Sequence, residues 1–344
     1  MAQEYDAILV LGFGGPEKEA DVLPFLENVT RGRNIPRERL LEVAENYMQF
    51  GGRSPINDQC RALIAALRAE LDANGLSIPI YWGNRNWHPF IEDTLRTMAS
   101  DGARRALVFV TSAYSSYSGC RQYLEDLDRA RAAVGAGAPE CEKLRHYCLH
   151  PGFLEPMTEN VRAALARIPG ERRSAAALLF SAHSIPLAMA QTSNYVEQLT
   201  EVAKSVATGA GHAEYQLVYQ SRSGPPQQKW LEPDVKDAIA EIARSGRASD
   251  VVVAPIGFIS DHMEVIVDLD SQARAHAESL GLNFVRAATV GTHPRFVAMI
   301  RELIDERLKG LREASPCLEN CCPNPHRMGL PPQAAGAGAG SIPA

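Results

Sequence analysis

A histidine at the end of one apolar run and a row of acids after another are the residues of this chain best placed to do chemistry. In LLFSAHSIP (178–186), His183 stands just past a buried strand pattern, and Pro186 stops any direct continuation into helix. In APIGFISDHMEVIVDLD (254–270), the apolar run Val251–Pro255 gives way to Asp261, His262, Glu264, Asp268 and Asp270. If Asp261 to Asp270 is helical, Asp261, Glu264 and Asp268 fall at i, i+3 and i+7 and share one face. A plainer reading also exists, since Ser260 or Asp261 with Glu264 makes a capping box and an acidic first turn suits the helix dipole. Capping does not call for Asp268 and Asp270. A cleft holding a histidine opposite such carboxylates can bind a hard or borderline divalent ion loosely and move protons beside it. There is no HExxH, so a tight zinc-protease site is excluded.

These residues need elements to hold them. Strands are expected at Ala7–Leu11, Ile78–Trp82, Ala106–Thr111, Ala177–Ser181, Gln216–Tyr219, Val251–Pro255 and Asn283–Arg286. Helices are expected between them, among others at Ser54–Ala73, Arg121–Val134, Tyr195–Thr208, Pro233–Ser245 and Pro294–Leu311. Strand, helix, strand at this spacing means parallel sheets wrapped by helices, and the pattern runs twice. The fold class expected is α/β, two similar Rossmann-like lobes, each a parallel sheet flanked by helices. The lobes are 1–150 and 151–293; residues 294–312 form a C-terminal helix packing back on the first lobe. A cysteine-containing extension, 313–330, and a low-complexity end, 331–344, follow. Ligands of such folds bind at the carboxyl ends of strands, just after the apolar runs.

The first strand ends in Gly12-Phe13-Gly14-Gly15-Pro16, which invites a dinucleotide reading. The position that needs a third glycine holds Glu17, and Pro16 has no N–H for a pyrophosphate, so nucleotide is rejected in favour of another ligand close to the backbone. The 344 residues are 45% hydrophobic and 22% charged with net charge -6, an ordinary globular composition that argues against nucleic acid as a partner. No apolar run reaches the length of a membrane span, and MAQEYDAILVLGFG lacks the features of a secretory signal, so a cytoplasmic protein is expected. The seven cysteines lie at 60, 120, 141 and 148, then crowd at 317, 321 and 322. In a reducing compartment such crowding near a terminus points to metal or cluster ligands rather than disulfides.

The string LLFSAHSIPLAMAQTSNY resembles the signature segment of the ferrochelatases. YQSRSGPPQQKWLEPDV, PIGFISDHMEVIVDLD, LGFGGPE and FGGRSPIN resemble the same family in order and spacing, so the likeness runs to about Leu311. It implies a chelatase-like fold with a porphyrin cleft between two lobes and an enzyme, a lyase forming nitrogen–metal bonds, that inserts Fe²⁺ in haem biosynthesis. It implies that His183 faces the pyrrole nitrogens, that Glu264 opposes it across the macrocycle, and that both meet the Fe²⁺ substrate. Asp268 continues the acidic row, with His262 a secondary candidate. For porphyrin binding it implies Phe13 against the ring face and Ser54 and Tyr123 on propionates. Arg31 and Arg33 suit propionates by charge, and Tyr47 and Trp230 belong to the cleft or the core.

Some members of the family hold a [2Fe–2S] cluster on three C-terminal cysteines and one from the first lobe. The likeness therefore implies Cys317, Cys321, Cys322 and Cys120 as ligands, with Cys141 or Cys148 as replacements and zinc as another occupant. Adjacent cysteines can share one cluster only through a turn, which Pro323 favours. NVTRGRNIP looks more like coproporphyrin III-using relatives than protoporphyrin IX-using ones. Competing readings are a cobalt or nickel tetrapyrrole chelatase and a non-catalytic tetrapyrrole carrier or sensor; transient contact with a membrane or a haem-pathway enzyme stays open.

Overall fold

A computed structural model describes residues 5–32, 35–223, 227–311 and 321–324. Its strands are β1 Ala7–Gly12, β2 Ile80–Asn84, β3 Arg105–Val110, β4 Glu140–Lys143, β5 Ala177–His183, β6 Tyr215–Gln220, β7 Asp250–Ala254 and β8 Asn283–Arg286. They form two four-stranded parallel sheets of matching order, β2-β1-β3-β4 and β6-β5-β7-β8. The α-helices are α1 Glu19–Val29, α2 Arg37–Met48, α3 Ile56–Ala73, α4 Ile91–Ser100, α5 Gln122–Val134, α6 Pro151–Ala166, α7 Gly170–Arg173, α8 Leu187–Ala190, α9 Tyr195–Ala210, α10 Val235–Ser245, α11 Met263–Val265, α12 Arg274–Ser279 and α13 Pro294–Leu308. Two π-helical turns, π1 Tyr117–Arg121 and π2 Ile266–Ala273, interrupt this regular set.

The central strands are buried on both faces, so β1 (AILVLG) and β7 (DVVVA) read as apolar runs without alternation. In α10, Val235, Ala238, Ile239 and Ile242 make one buried stripe at helical spacing. Asp234 caps its start by accepting from the Lys236 N–H, and left-handed Gly246 ends it. Strand β4 escapes sequence reading because ECEK is charged and only partly buried at a sheet edge.

One apolar cluster joins the lobes, running from Val10 and Phe109 of the first sheet through Phe153 and Phe296 to Phe180 and Val252 of the second. Helix α13 packs on α3 and α6. Arg301 donates to Glu70 at 2.8 Å, and Arg145 donates twice to Glu306 at 2.9 Å, tying α13 to first-lobe elements.

In both sheets the first strand lies between the second and the third. Chain direction therefore switches sides beside β1 and β5, and a crevice opens at their carboxyl ends. The condition that Asp261 to Asp270 form one α-helix is not met: the stretch is a loop, the single turn α11, then π2. A π-turn takes in an extra residue, and such turns gather at functional sites.

Candidate active site

The crevice is a cleft of about 390 Å³ between the lobes. Its first-lobe wall carries Phe13, Tyr47, Ser54 and Tyr123; its second-lobe wall carries His183, Trp230, His262 and Glu264. Phe13 follows β1, where Gly14 takes φ +83° with Asn84 and the Trp87 backbone so close that no Cβ would fit. Phe13 packs edge-on against Phe25, which does the same with Tyr47, giving the wall an interlocked aromatic surface.

His183 is the last residue of β5. Its carbonyl accepts from the Tyr195 hydroxyl at 2.9 Å, and its Nδ1 lies 2.5 Å from the Ser184 carbonyl. A carbonyl can only accept, so Nδ1 carries a proton and Nε2 faces outward. That nitrogen lies 3.6 Å from Glu264 Oε1. Such a gap is one van der Waals contact, and no ring passes through it. The expectation that Glu264 opposes His183 across a macrocycle is therefore corrected: the two share one wall.

Burial by itself would push the His183 pKa down, but the Glu264 carboxylate, the Ser184 carbonyl and Asp268 outweigh it and hold it above its ordinary value. Burial would likewise raise Glu264, and the attraction of His183 holds it below the carboxylate range instead. His262 behaves oppositely. Burial, reinforced by His183, lowers its pKa, so it stays neutral, with Nδ1 accepting the Glu264 N–H at 3.2 Å. This histidine caps α11, so the capping box expected of Ser260 or Asp261 with Glu264 does not form. The Glu264 carboxylate turns to His183 instead of to the backbone.

Asp268, one π-turn behind Glu264, is buried and bonded by the Ser221 hydroxyl, while its Oδ1 has no hydrogen-bond partner among the described residues. Burial, helped by Glu264, pushes its pKa up to about 7 despite the Ser221 bond. It lines not the cleft but a small pocket behind it with Gln220, Asp234 and Gln272. Asp261 and Asp270 leave the acidic row: both carboxylates pair with Arg286, at 2.9 and 2.7 Å. Only Glu264 of the four acids faces the cleft.

Ser54 and Tyr123 are buried in the cleft wall; Tyr47 and Trp230 line it too, and Tyr47 also belongs to the apolar cluster beneath that wall. Arg31 is exposed on the turn after α1 and does not line the cleft; Arg33 lies outside the described residues. The basic group that does line it is Arg85, which sequence reading passed over. It sits just past β2, where the strand-end rule could have found it, pairs with Asp126 and stacks 4.5 Å from the Tyr123 ring centre. Gln59 was also missed, and no local signal in its helix marks it.

Cys120 is buried in π1. The segment 321–324 lies against the same helix end: Arg121 donates to the Cys321 carbonyl at 3.3 Å, and Asn324 donates to Glu125 at 3.1 Å. Cys322 is buried with φ +52°, a left-handed turn conformation, and Cys321 beside it is half-buried. Cys317 lies outside the described residues. Among the described residues no group of three or more His, Cys, Asp or Glu side chains is arranged to hold a metal ion. Cys148 lies in the shared core, where burial pushes its thiol up to about 12, and burial pushes the Cys141 thiol on β4 up to about 11.

Paired parallel sheets with a titratable wall facing an aromatic one define the chelatase class of fold. The sirohydrochlorin chelatase SirB from Bacillus subtilis subspecies spizizenii, solved with cobalt, superposes with a TM-score of 0.51 at 14% identity, covering 90% of this chain and 97% of that one, a likeness of fold alone. Sequence narrows the class. The ferrochelatase family model matches residues 5–308. A ferrochelatase of Rhodopirellula baltica is 52% identical over 328 residues, 92% of this chain and 93% of that protein. A coproporphyrin III ferrochelatase of Nocardia farcinica is 49% identical over 354 residues, 96% of this chain and 99% of that protein. The chain belongs to the ferrochelatase family, and it is an enzyme that inserts iron into a porphyrin. No helix among the described residues is long and apolar enough to cross a membrane.

Proposed function

We propose that this chain inserts Fe²⁺ into coproporphyrin III, working in the cytoplasm as two lobes divided near residue 150. The observation that carries the substrate choice is the near full-length likeness to proteins named coproporphyrin III ferrochelatase. The test is anaerobic Fe²⁺ insertion with both porphyrins. Coproporphyrin III is expected to give a kcat/KM at least about tenfold higher, since one missing set of carboxylate contacts costs a kcal/mol or more. Equal or better use of protoporphyrin IX overturns the choice.

In this reading the aromatic wall of Phe13 and Tyr47 takes one face of the macrocycle, and His183 and Glu264 meet its centre from the other. Ser54 and Tyr123 hold propionates within the cleft, and Arg31, exposed on the turn outside it, meets one that projects beyond the cleft. Metallation must remove two pyrrole protons while Fe²⁺ exchanges water for nitrogen. The His183 Nε2 lone pair, once free of its proton, accepts the first, and after handing it on is free to accept the second. Glu264 takes the proton on or steadies the arriving ion, and Asp268, titrating near neutrality, passes it back from the cleft. Neutral His262 adds no positive charge where a cation must arrive.

A [2Fe–2S] cluster on Cys120, Cys317, Cys321 and Cys322 belongs to the same reading. Its support is the turn at Cys322 and the seating of 321–324 beside Cys120. Four thiolates there would hold a one-electron centre. Cys120→Ser is expected to remove most of the visible absorption and bound iron from anaerobically purified protein, whereas Cys148→Ser should keep both. Full iron and sulfide in Cys120→Ser would exclude it as a ligand, and one zinc in a colourless wild-type protein would replace the cluster by a structural metal.

A further inference from the structure

We infer that Gln59 is a positioning residue for iron insertion: its amide grips the backbone beside the His183–Glu264 pair from the opposite lobe and sets the cleft width at the reacting centre. The inference rests on the ferrochelatase reading. Gln59 lies in the first turn of α3, the helix whose neighbouring residues Ile56, Cys60 and Leu63 line the first-lobe wall. Its Oε1 accepts from the Asp261 N–H at 2.9 Å, and its Nε2 donates to the Asp261 carbonyl at 2.7 Å. One side chain thus closes a two-point bridge across 202 residues of sequence, three residues before Glu264.

The gripped segment is pinned on its other sides. The Asp261 carboxylate is held by Arg286 at 2.9 Å and by the Thr289 hydroxyl at 3.3 Å, and the Ile259 carbonyl accepts from Gly291. Gln220 donates to the Glu264 carbonyl at 3.0 Å. Every one of these partners belongs to the second lobe. They fix Glu264 relative to His183. Towards the first lobe, Met263 and Val267 pack in one apolar cluster with Tyr47, and the Tyr114 hydroxyl donates to the Ile256 carbonyl at 2.8 Å. Apolar packing lets a segment slide, and the Tyr114 bond lies five residues before Asp261; Gln59 adds the directional two-point hold at Asp261 itself. A cleft that holds its substrate bent depends on such a width, and small displacements of positioned groups cost large factors in rate.

A merely structural role is the alternative, because two part-buried backbone groups need partners wherever they lie. The molecule provides its own comparison. Gln198 makes an equivalent two-point bridge between the lobes, accepting from the Ser115 N–H at 2.7 Å and donating to the Ser115 hydroxyl at 2.9 Å, but from α9 rather than beside Glu264.

The experiment compares Gln59→Met, Gln59→Glu and Gln198→Met in the full chain, measuring kcat for anaerobic Fe²⁺ insertion, porphyrin Kd by fluorescence, and Tm. Methionine keeps the length and helix tendency of glutamine without its hydrogen bonds. Gln59→Met is expected to lose ten- to a hundredfold in kcat, with Kd within about threefold of wild type. Gln59→Glu keeps the acceptor but turns an oxygen toward the Asp261 carbonyl, and should lose at least as much. Gln198→Met should lower Tm at least as far while keeping kcat within threefold. Wild-type kcat in either Gln59 variant, or equal kcat losses in Gln59→Met and Gln198→Met, overturns the positioning role. Failure of the wild-type protein itself to insert iron would instead overturn the underlying reading.

Discussion

His183→Ala is expected to lower iron insertion by about 10²–10⁴-fold, the usual cost of losing a positioned general base, while porphyrin binding persists. The separation follows from the wall structure. Phe13, Tyr47, Trp230 and the hydroxyls of Ser54 and Tyr123 also line the cleft, and alanine at 183 leaves them in place. The backbone of His183 is bonded through its carbonyl to Tyr195 and by ladder pairing to β6, and alanine keeps both. Fluorescence titration with porphyrin should therefore give a Kd near that of wild type, and the loss should fall in kcat. Retention of more than about a tenth of the turnover would place the proton acceptor elsewhere. His262, the other ring on this wall, would be the next residue to test.

The second large effect concerns Glu264→Gln. Turnover should fall by roughly 10²-fold or more, and the pH profile should move in a stated direction. In the wild type, Glu264 is the main cause holding the His183 pKa up against burial. The free imidazole is therefore lost as pH falls through a value above the ordinary one, and the acid limb of kcat/KM lies correspondingly high. Glutamine removes the attraction and leaves the burial, so the limb should shift to lower pH, making the variant's relative defect smallest in acid. A limb that stays in place, or moves upward, would show that the pair does not act together. The melting temperature should change little. His262 caps α11, and the Glu264 backbone keeps its bonds to His262 and Gln220. Moreover, His183 can shed its proton rather than remain charged without a partner.

Much of this architecture is legible in the residues themselves. The continuous apolar runs of β1, β3, β5 and β7 announce buried parallel strands, and the rule that ligands meet strand ends marks Phe13 and His183 directly. The amphipathic spacing of α3, α10 and α13 is equally local. β4 was missed because an edge strand needs no apolar run. Glu264 is recognisable as a candidate, but the sequence pattern alone leaves a capping acid and a reactive acid indistinguishable. The observed geometry separates them, since His262 takes the capping bond and frees the carboxylate for His183.

By itself, then, the sequence determined the strand and helix order, the duplicated lobe, and the residue types collected at the strand ends. Those properties depend on side-chain periodicity over a few turns of chain, which any window of residues carries. Only the tertiary structure decided that Glu264 stands beside His183 rather than facing it, and that Arg286 withdraws Asp261 and Asp270 from the acidic row. It likewise decided that Asp268 lies behind the cleft and that Gln59 reaches across it. These depend on which strands become neighbours, on a π-turn that resets the phase of a helix by one residue, and on contacts between segments far apart in sequence. A polar side chain carries no mark of its partner until packing brings the two within hydrogen-bond reach.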